Sequence, residues 1–116
     1  MTLISRTEIR DVKEITDSQK QRIYDYLQGA VYCWCKNRFD EWFSVRDLFG
    51  GANFDWNGTP MIALYEKHKS KGKTDAKAIS DAGKDAGWIL KRVIDNDTRG
   101  FETKKEELIR KYRWIK

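Results

Sequence analysis

The sequence has one proline, Pro60, one histidine, His68, and two cysteines, Cys33 and Cys35. Each scarcity narrows the chemistry. The cysteines sit one residue apart in YCWCKN, and on a helix they would point about 200° apart, which suits neither a disulfide nor a shared metal. A structural zinc site needs further nitrogen or sulfur ligands, and His68 is the only one left to add. The cysteines therefore read as small buried hydrophobes in a reducing compartment, and neither metal nor cofactor is expected. No long apolar run and no charged-then-apolar N-terminus ending at a small-residue cleavage site occurs, so membrane span and secretory signal are both unexpected. The chain reads as soluble and cytoplasmic. P-loop, glycine-rich dinucleotide turn, GxSxG and HExxH motifs are missing too. His68 shares a helical stripe with Met61, Leu64 and Tyr65 and reads as a packed residue rather than an acid–base catalyst, so no enzyme is expected.

Aromatics, by contrast, are plentiful. Five Trp, five Tyr and five Phe in 116 residues are enough to close one core. No repeat, low-complexity tract or linker interrupts the chain, which reads as a single domain over residues 1–116 with 1–16 as an N-terminal extension. Charge is uneven. Residues 1–65 carry eight Lys/Arg against nine Asp/Glu, a net of −1, and residues 66–116 carry fifteen against nine, a net of +6. A basic half of this kind suits either a phosphate backbone or an ordinary solvated surface.

The patterning is mostly helical. Ser5 with Glu8 three positions on can open a short turn through Ile9 and Val12. From Asp17 to Asn37, the residues Ile23, Tyr26, Leu27, Ala30 and Trp34 recur at three- and four-residue steps, which predicts a long core helix. Ser44 can cap a short VRDLF helix stopped by Gly50 and Gly51. In the following NFDWNG loop, Phe54 and Trp56 are expected to fold back over the core. Thr59 and Pro60 mark the start of a helix, MIALYEKHKSK, that Gly72 ends. Thr74 then caps a second helix over Asp75 to Ile94.

On that second helix Ala78, Ile79, Ala82, Gly83, Ala86, Gly87, Ile89, Leu90, Val93 and Ile94 form a broad apolar arc expected to face the core. Gly83 and Gly87, costly inside a helix, are expected to admit a close neighbour. The opposite face carries Lys77, Ser80, Asp81, Lys84, Asp85, Trp88, Lys91 and Arg92. Trp88 is thus ringed by charge, either covered by the C-terminal aromatics Phe101, Tyr112 and Trp114 or left open to a partner. Asp81 and Asp85 would repel phosphate, although they can accept from cytosine. The last segment has two readings: a fifth helix, with Thr103 and Glu106 as a capping box, or a hairpin of GFETKK and LIRKYRWIK. The turn KEE lacks Gly, Asn or Pro.

Two helices joined by a short glycine-containing turn match the helix-turn-helix arrangement. With the long first helix, the short VRDLF helix and a basic C-terminal hairpin, residues 17–116 resemble a winged helix-turn-helix domain. The resemblance implies a mainly α, α+β fold of four or five helices with a C-terminal hairpin; an all-α fold with a C-terminal helix is the alternative. It implies a DNA-binding protein, such as a transcriptional regulator, that reads double-stranded DNA with Lys77, Ser80, Asp81, Lys84, Trp88 and Lys91 on the second helix and Lys104, Lys105 and Arg110 on the wing. Lys73 and Arg92 extend the same basic surface. The alternative function is an adaptor or homodimer whose Trp88 face binds protein.

Overall fold

The computed structural model describes residues 8–38, 40–48, 56–107 and 109–115. Four helices precede a two-stranded antiparallel hairpin, which makes the fold α+β. Helix α1 spans Asp17–Asn37. A capping box that was not anticipated sets its start: the Thr16 hydroxyl accepts from the Gln19 N–H at 3.0 Å, and the Gln19 side chain accepts from the Thr16 N–H at 2.9 Å. Two otherwise orphaned donors are satisfied by this capping box. The buried stripe of α1 is Ile23, Leu27, Val31 and Cys35, a run of four-residue steps. Tyr26 lies beside it and is exposed, while Ala30 and Trp34 are only half-buried. The expected stripe was therefore rotated by part of a turn.

Residues 8–13, where a helical turn was expected, have no regular structure, and Ser5 lies outside the described residues. Helix α2 is the four residues Val45–Leu48. Ser44 does not cap it as anticipated; its hydroxyl and its N–H both donate to the Asp47 carboxylate. Gly50, Gly51 and Phe54 fall outside the described residues. Trp56 is buried against the core, as the lid reading required.

Helix α3, Ile62–Lys69, starts later than its Thr59–Pro60 signal. Those residues instead open a tighter turn: the N–H groups of Ile62, Ala63 and Leu64 donate to the carbonyls three residues back. Met61, Leu64 and His68 then face inward. Gly72 (φ +83°) turns the chain, and a left-handed residue there is cheap only for glycine. Helix α4, Asp75–Asn96, begins where the Thr74 hydroxyl accepts from the Lys77 N–H at 3.3 Å. Helices α3 and α4 pack on each other, and α1 closes against α4.

The C-terminal segment is a hairpin and not a fifth helix. Strand β1, Gly100–Glu106, pairs with β2, Ile109–Ile115, in a register that sets Phe101 opposite Trp114 and Lys105 opposite Arg110. The turn forms without a glycine, and Glu107 takes the left-handed conformation itself (φ +58°). Tertiary packing supplies the reason. Phe101 and Tyr112 are 1% exposed, and Phe43 exchanges both backbone hydrogen bonds with Tyr112 at 2.8 Å. The Phe43 ring meets Tyr112 at 5.9 Å and Phe101 edge-on at 6.3 Å between centroids. Phe43 thus lies on the free side of β2, giving the spatial order Phe43, β2, β1.

Candidate nucleic-acid interface

The inward face of α4 is made by Ala78, Ala82, Ala86, Ile89, Leu90, Val93 and Ile94. Three members of the expected apolar arc are not in it. Ile79 is exposed, and Gly83 and Gly87 are half-buried. A Cβ built on either glycine meets no described atom within 4 Å, so no neighbouring helix approaches there. The expected close neighbour is thus not found among the described residues, and Phe54 of the loop expected there lies outside them. They lie instead beside the exposed Ala76, Lys77, Ser80 and Lys84, on a stretch of helix whose backbone is open. Replacing both glycines with alanine should raise stability by about 1–2 kcal/mol, because the helix keeps its geometry and the unfolded chain loses freedom. A rise in the urea midpoint with an unchanged slope would register this.

Asp81 and Asp85, expected to repel phosphate, are neutralised within the fold. Lys73 Nζ donates to Asp81 at 2.8 Å, with Lys77 at 3.3 Å and Lys84 more distant at 4.0 Å. Lys73 above all, helped by Lys77, holds the Asp81 carboxyl down at about 2, so it is ionised throughout the neutral range. Lys73 also reaches His68 Nδ1 at 2.7 Å. An ammonium can only donate, so Nδ1 accepts and neutral His68 carries its proton on Nε2, from which it donates to Asp85 at 2.7 Å. Lys67 Nζ joins the same Asp85 oxygen at 2.8 Å. His68 is thus a buried polar bridge between α3 and α4, which stripe periodicity alone could not reveal. Lys73, a proposed phosphate contact, is committed to that bridge.

The hairpin divides its cations between two faces. Lys105 and Arg110 share the face of Phe101 and Tyr112, whereas Lys104 lies on the other face, its ammonium 4.3 Å from the Trp42 ring centroid and 3.1 Å from Glu106. Lys104 therefore does not join the site. Arg110 donates to the Thr103 hydroxyl at 3.3 Å. Among the described residues neither Arg110 nor Lys105 has an ion-pair partner, and the exposed Arg92 has none either.

Lys91 is the surprise of the sequence-derived set. It is 6% exposed, and its ammonium donates to the Glu8 backbone carbonyl. Burial first, then the nearby Arg110 guanidinium and, less strongly, the Lys105 ammonium, hold this amine below the ordinary lysine range, opposed by the Glu8 carboxylate. Lys91 thus feels Arg110, the Glu8 carboxylate and Lys105 together. Trp88 is half-buried and lines a cleft. Arg10 lies 5.1 Å and Lys91 5.0 Å from its ring centroid, and the indole packs on the core. Beside it, the N-terminal segment, α1 and α4 enclose a cleft of about 420 Å³. Its rim mixes Asp11 and Asp17 with Arg10, Lys20 and Arg92, and so favours neither charge strongly.

Compared with known proteins, the chain matches no family model, no curated sequence and no solved structure. Among the described residues no helix is long and apolar enough to cross a membrane.

Proposed function

We propose that the chain binds double-stranded DNA in the manner of a winged-helix transcriptional regulator, with α4 in the major groove and the hairpin on the neighbouring backbone. The order Phe43, β2, β1 beside an α3–turn–α4 pair supports this arrangement. The observation that carries the binding reading is that Lys105 and Arg110, without ion-pair partners among the described residues, add to the exposed Lys77–Ser80–Lys84 stretch of α4. Like charges held together repel one another, and phosphate relieves that repulsion while releasing counterions. The major groove, about 12 Å wide, admits a helix whose outer side is short and polar. Gly83 and Gly87 suit that approach, since the added methyls of Gly83→Ala/Gly87→Ala would stand between backbone and groove.

Binding of the purified protein to a random-sequence duplex tests the reading. Affinity should fall steeply between low and moderate salt, and the glycine double variant should bind more weakly while folding more stably. No binding at low salt would refute the proposal. Binding of another protein that is indifferent to salt would favour the adaptor reading instead, with the half-buried Trp88 at the cleft as its anchor.

A further inference from the structure

The turn between α3 and α4 is closed by side chains as well as by Gly72. His68, buried near the end of α3, accepts from Lys73 Nζ at Nδ1 over 2.7 Å and donates from Nε2 to Asp85 at 2.7 Å. Lys73 spans the turn, since the same ammonium donates to Asp81 of α4 at 2.8 Å. The Lys71 and Gly72 N–H groups donate to the His68 and Lys69 carbonyls at 3.2 and 3.0 Å. The backbone of the turn thus hangs from the residue that holds Lys73.

The charges around the neutral imidazole balance. Lys67 of α3 and Lys73 of the turn meet Asp85 and Asp81 of α4, two cations against two carboxylates. Lys77 and Lys84 reach only the second Asp81 oxygen. Glu14 of the N-terminal segment feels His68 as well, but it is paired with Lys71 at 2.6 Å. A proton on Nδ1 upsets this arrangement in two ways. Nδ1 turns from acceptor into donor while facing an ammonium that has no lone pair to offer, and the cluster becomes three cations against two carboxylates. Asp81, its carboxyl held at about 2, stays ionised throughout the range in which histidine titrates. The Lys67 and His68 side chains are 8% and 7% exposed and the Lys73 side chain 27%, so Lys73 is the cation with a path to water.

We propose that His68 and Lys73 form a proton-operated latch on the α3–α4 turn: neutral His68 holds Lys73 within the fold, and protonated His68 expels it toward the exposed Lys77 and Lys84. The latch is a property of the free protein. Its consequence for affinity, one more cation offered to phosphate beside α4, rests on the DNA-binding reading above.

His68 is the only histidine, so nitrogen NMR of the wild-type protein at pH 8 and pH 5 reads its two ring nitrogens without ambiguity. At the higher pH only Nε2 should carry a proton. At the lower pH both nitrogens should, and protection of the Lys71 and Gly72 amides against exchange, corrected for the intrinsic rate, should fall about tenfold, as for the loss of one hydrogen bond to a charged group. A proton on Nδ1 at the higher pH, a bare Nδ1 at the lower, or a doubly protonated ring with unchanged protection would each overturn the latch. Lys73→Met gives the complementary result: with no ammonium to expel, protection at the two amides should no longer follow the imidazole, and an undiminished fall in this variant also overturns the proposal. The wild-type measurement stands without the variant. A random-sequence duplex then tests the consequence. Wild type should gain more affinity between the higher and the lower pH than Lys73→Met does, and equal gains would overturn Lys73 as the released contact. Absence of duplex binding at either pH would be a failure of the DNA reading alone, because the latch is judged on the free protein.

Discussion

Asp85→Ala should destabilise the protein by about 3 kcal/mol, the lower end of the range for breaking a buried charge pair. One Asp85 oxygen accepts from both His68 Nε2 and Lys67 Nζ. The Lys67 and His68 side chains are 8% and 7% exposed, so water cannot replace the lost carboxylate. Lys67 keeps the Lys13 carbonyl, but His68 Nε2 loses its acceptor. Asp85 is itself 18% exposed, which is why the lower end of the range applies. For a chain of this size the loss corresponds to a fall in Tm of roughly 10–20 °C. Asp85→Asn retains shape and one acceptor, so about half the loss is expected. Combining Asp85→Leu with Lys67→Met should cost less than the sum of the two changes, because neither variant then strands a charge. Calorimetry and urea unfolding of wild type, the four single variants and the double variant measure these differences. A loss below about 1 kcal/mol for Asp85→Ala, the ceiling for exposed pairs, would show that the network is solvated rather than structural.

This network also shows what could be read from sequence and what could not. Gly72 and Thr74 were legible because their requirements are local: a left-handed φ and a hydroxyl beside a free N–H. The Asp17–Asn37 helix was legible in outline, but its inward face was misjudged, since Tyr26 and Trp34 look more hydrophobic than Val31 and Cys35. Only the position of the other elements makes the smaller residues inward. Asp85 and His68 stand 17 positions apart across a turn, and no spacing rule pairs them. The alternating YRWIK ending favoured the hairpin over a helix, and Phe43, far away in sequence, fixes it by pairing with Tyr112. Trp88 is half-buried, and Arg10, at the other end of the chain from the expected aromatics, lies over its ring. The N-terminal segment acts largely through backbone carbonyls, which every residue has, and so leaves no pattern in the sequence. Of the proposed contacts, Lys77, Ser80, Lys84, Arg92, Lys105 and Arg110 remain available, Lys73 and Lys91 are engaged within the fold, Trp88 is half-buried, and Lys104 lies on the opposite face of the hairpin from Lys105 and Arg110.

Lys84→Ala/Lys105→Ala/Arg110→Ala should weaken duplex binding by about two orders of magnitude at roughly 0.1 M salt, and make the slope of log affinity against log salt shallower by about 2.7. The three side chains were chosen because none is needed by the fold. Lys84 is 70% exposed with only a 4.0 Å contact to Asp81, and Lys105 and Arg110 have no carboxylate partner among the described residues. Lys91 is spared, since it is buried and its removal would strand the Glu8 carbonyl. Losing net charge alone would also weaken binding, so the comparison is with Lys36→Ala/Lys104→Ala/Lys111→Ala. That control removes the same charge from α1 and from the outer face of the hairpin, where Lys104 and Lys111 already pair with Glu106. Long-range attraction is screened within about 8–10 Å at such salt, so the control should change affinity only a few fold. Equal losses in the two triples would mean that DNA is held by diffuse charge and not by the α4–hairpin face. A large loss confined to the first triple makes that face the phosphate contact, because only direct neutralisation of phosphates alters the salt slope by nearly one unit per cation.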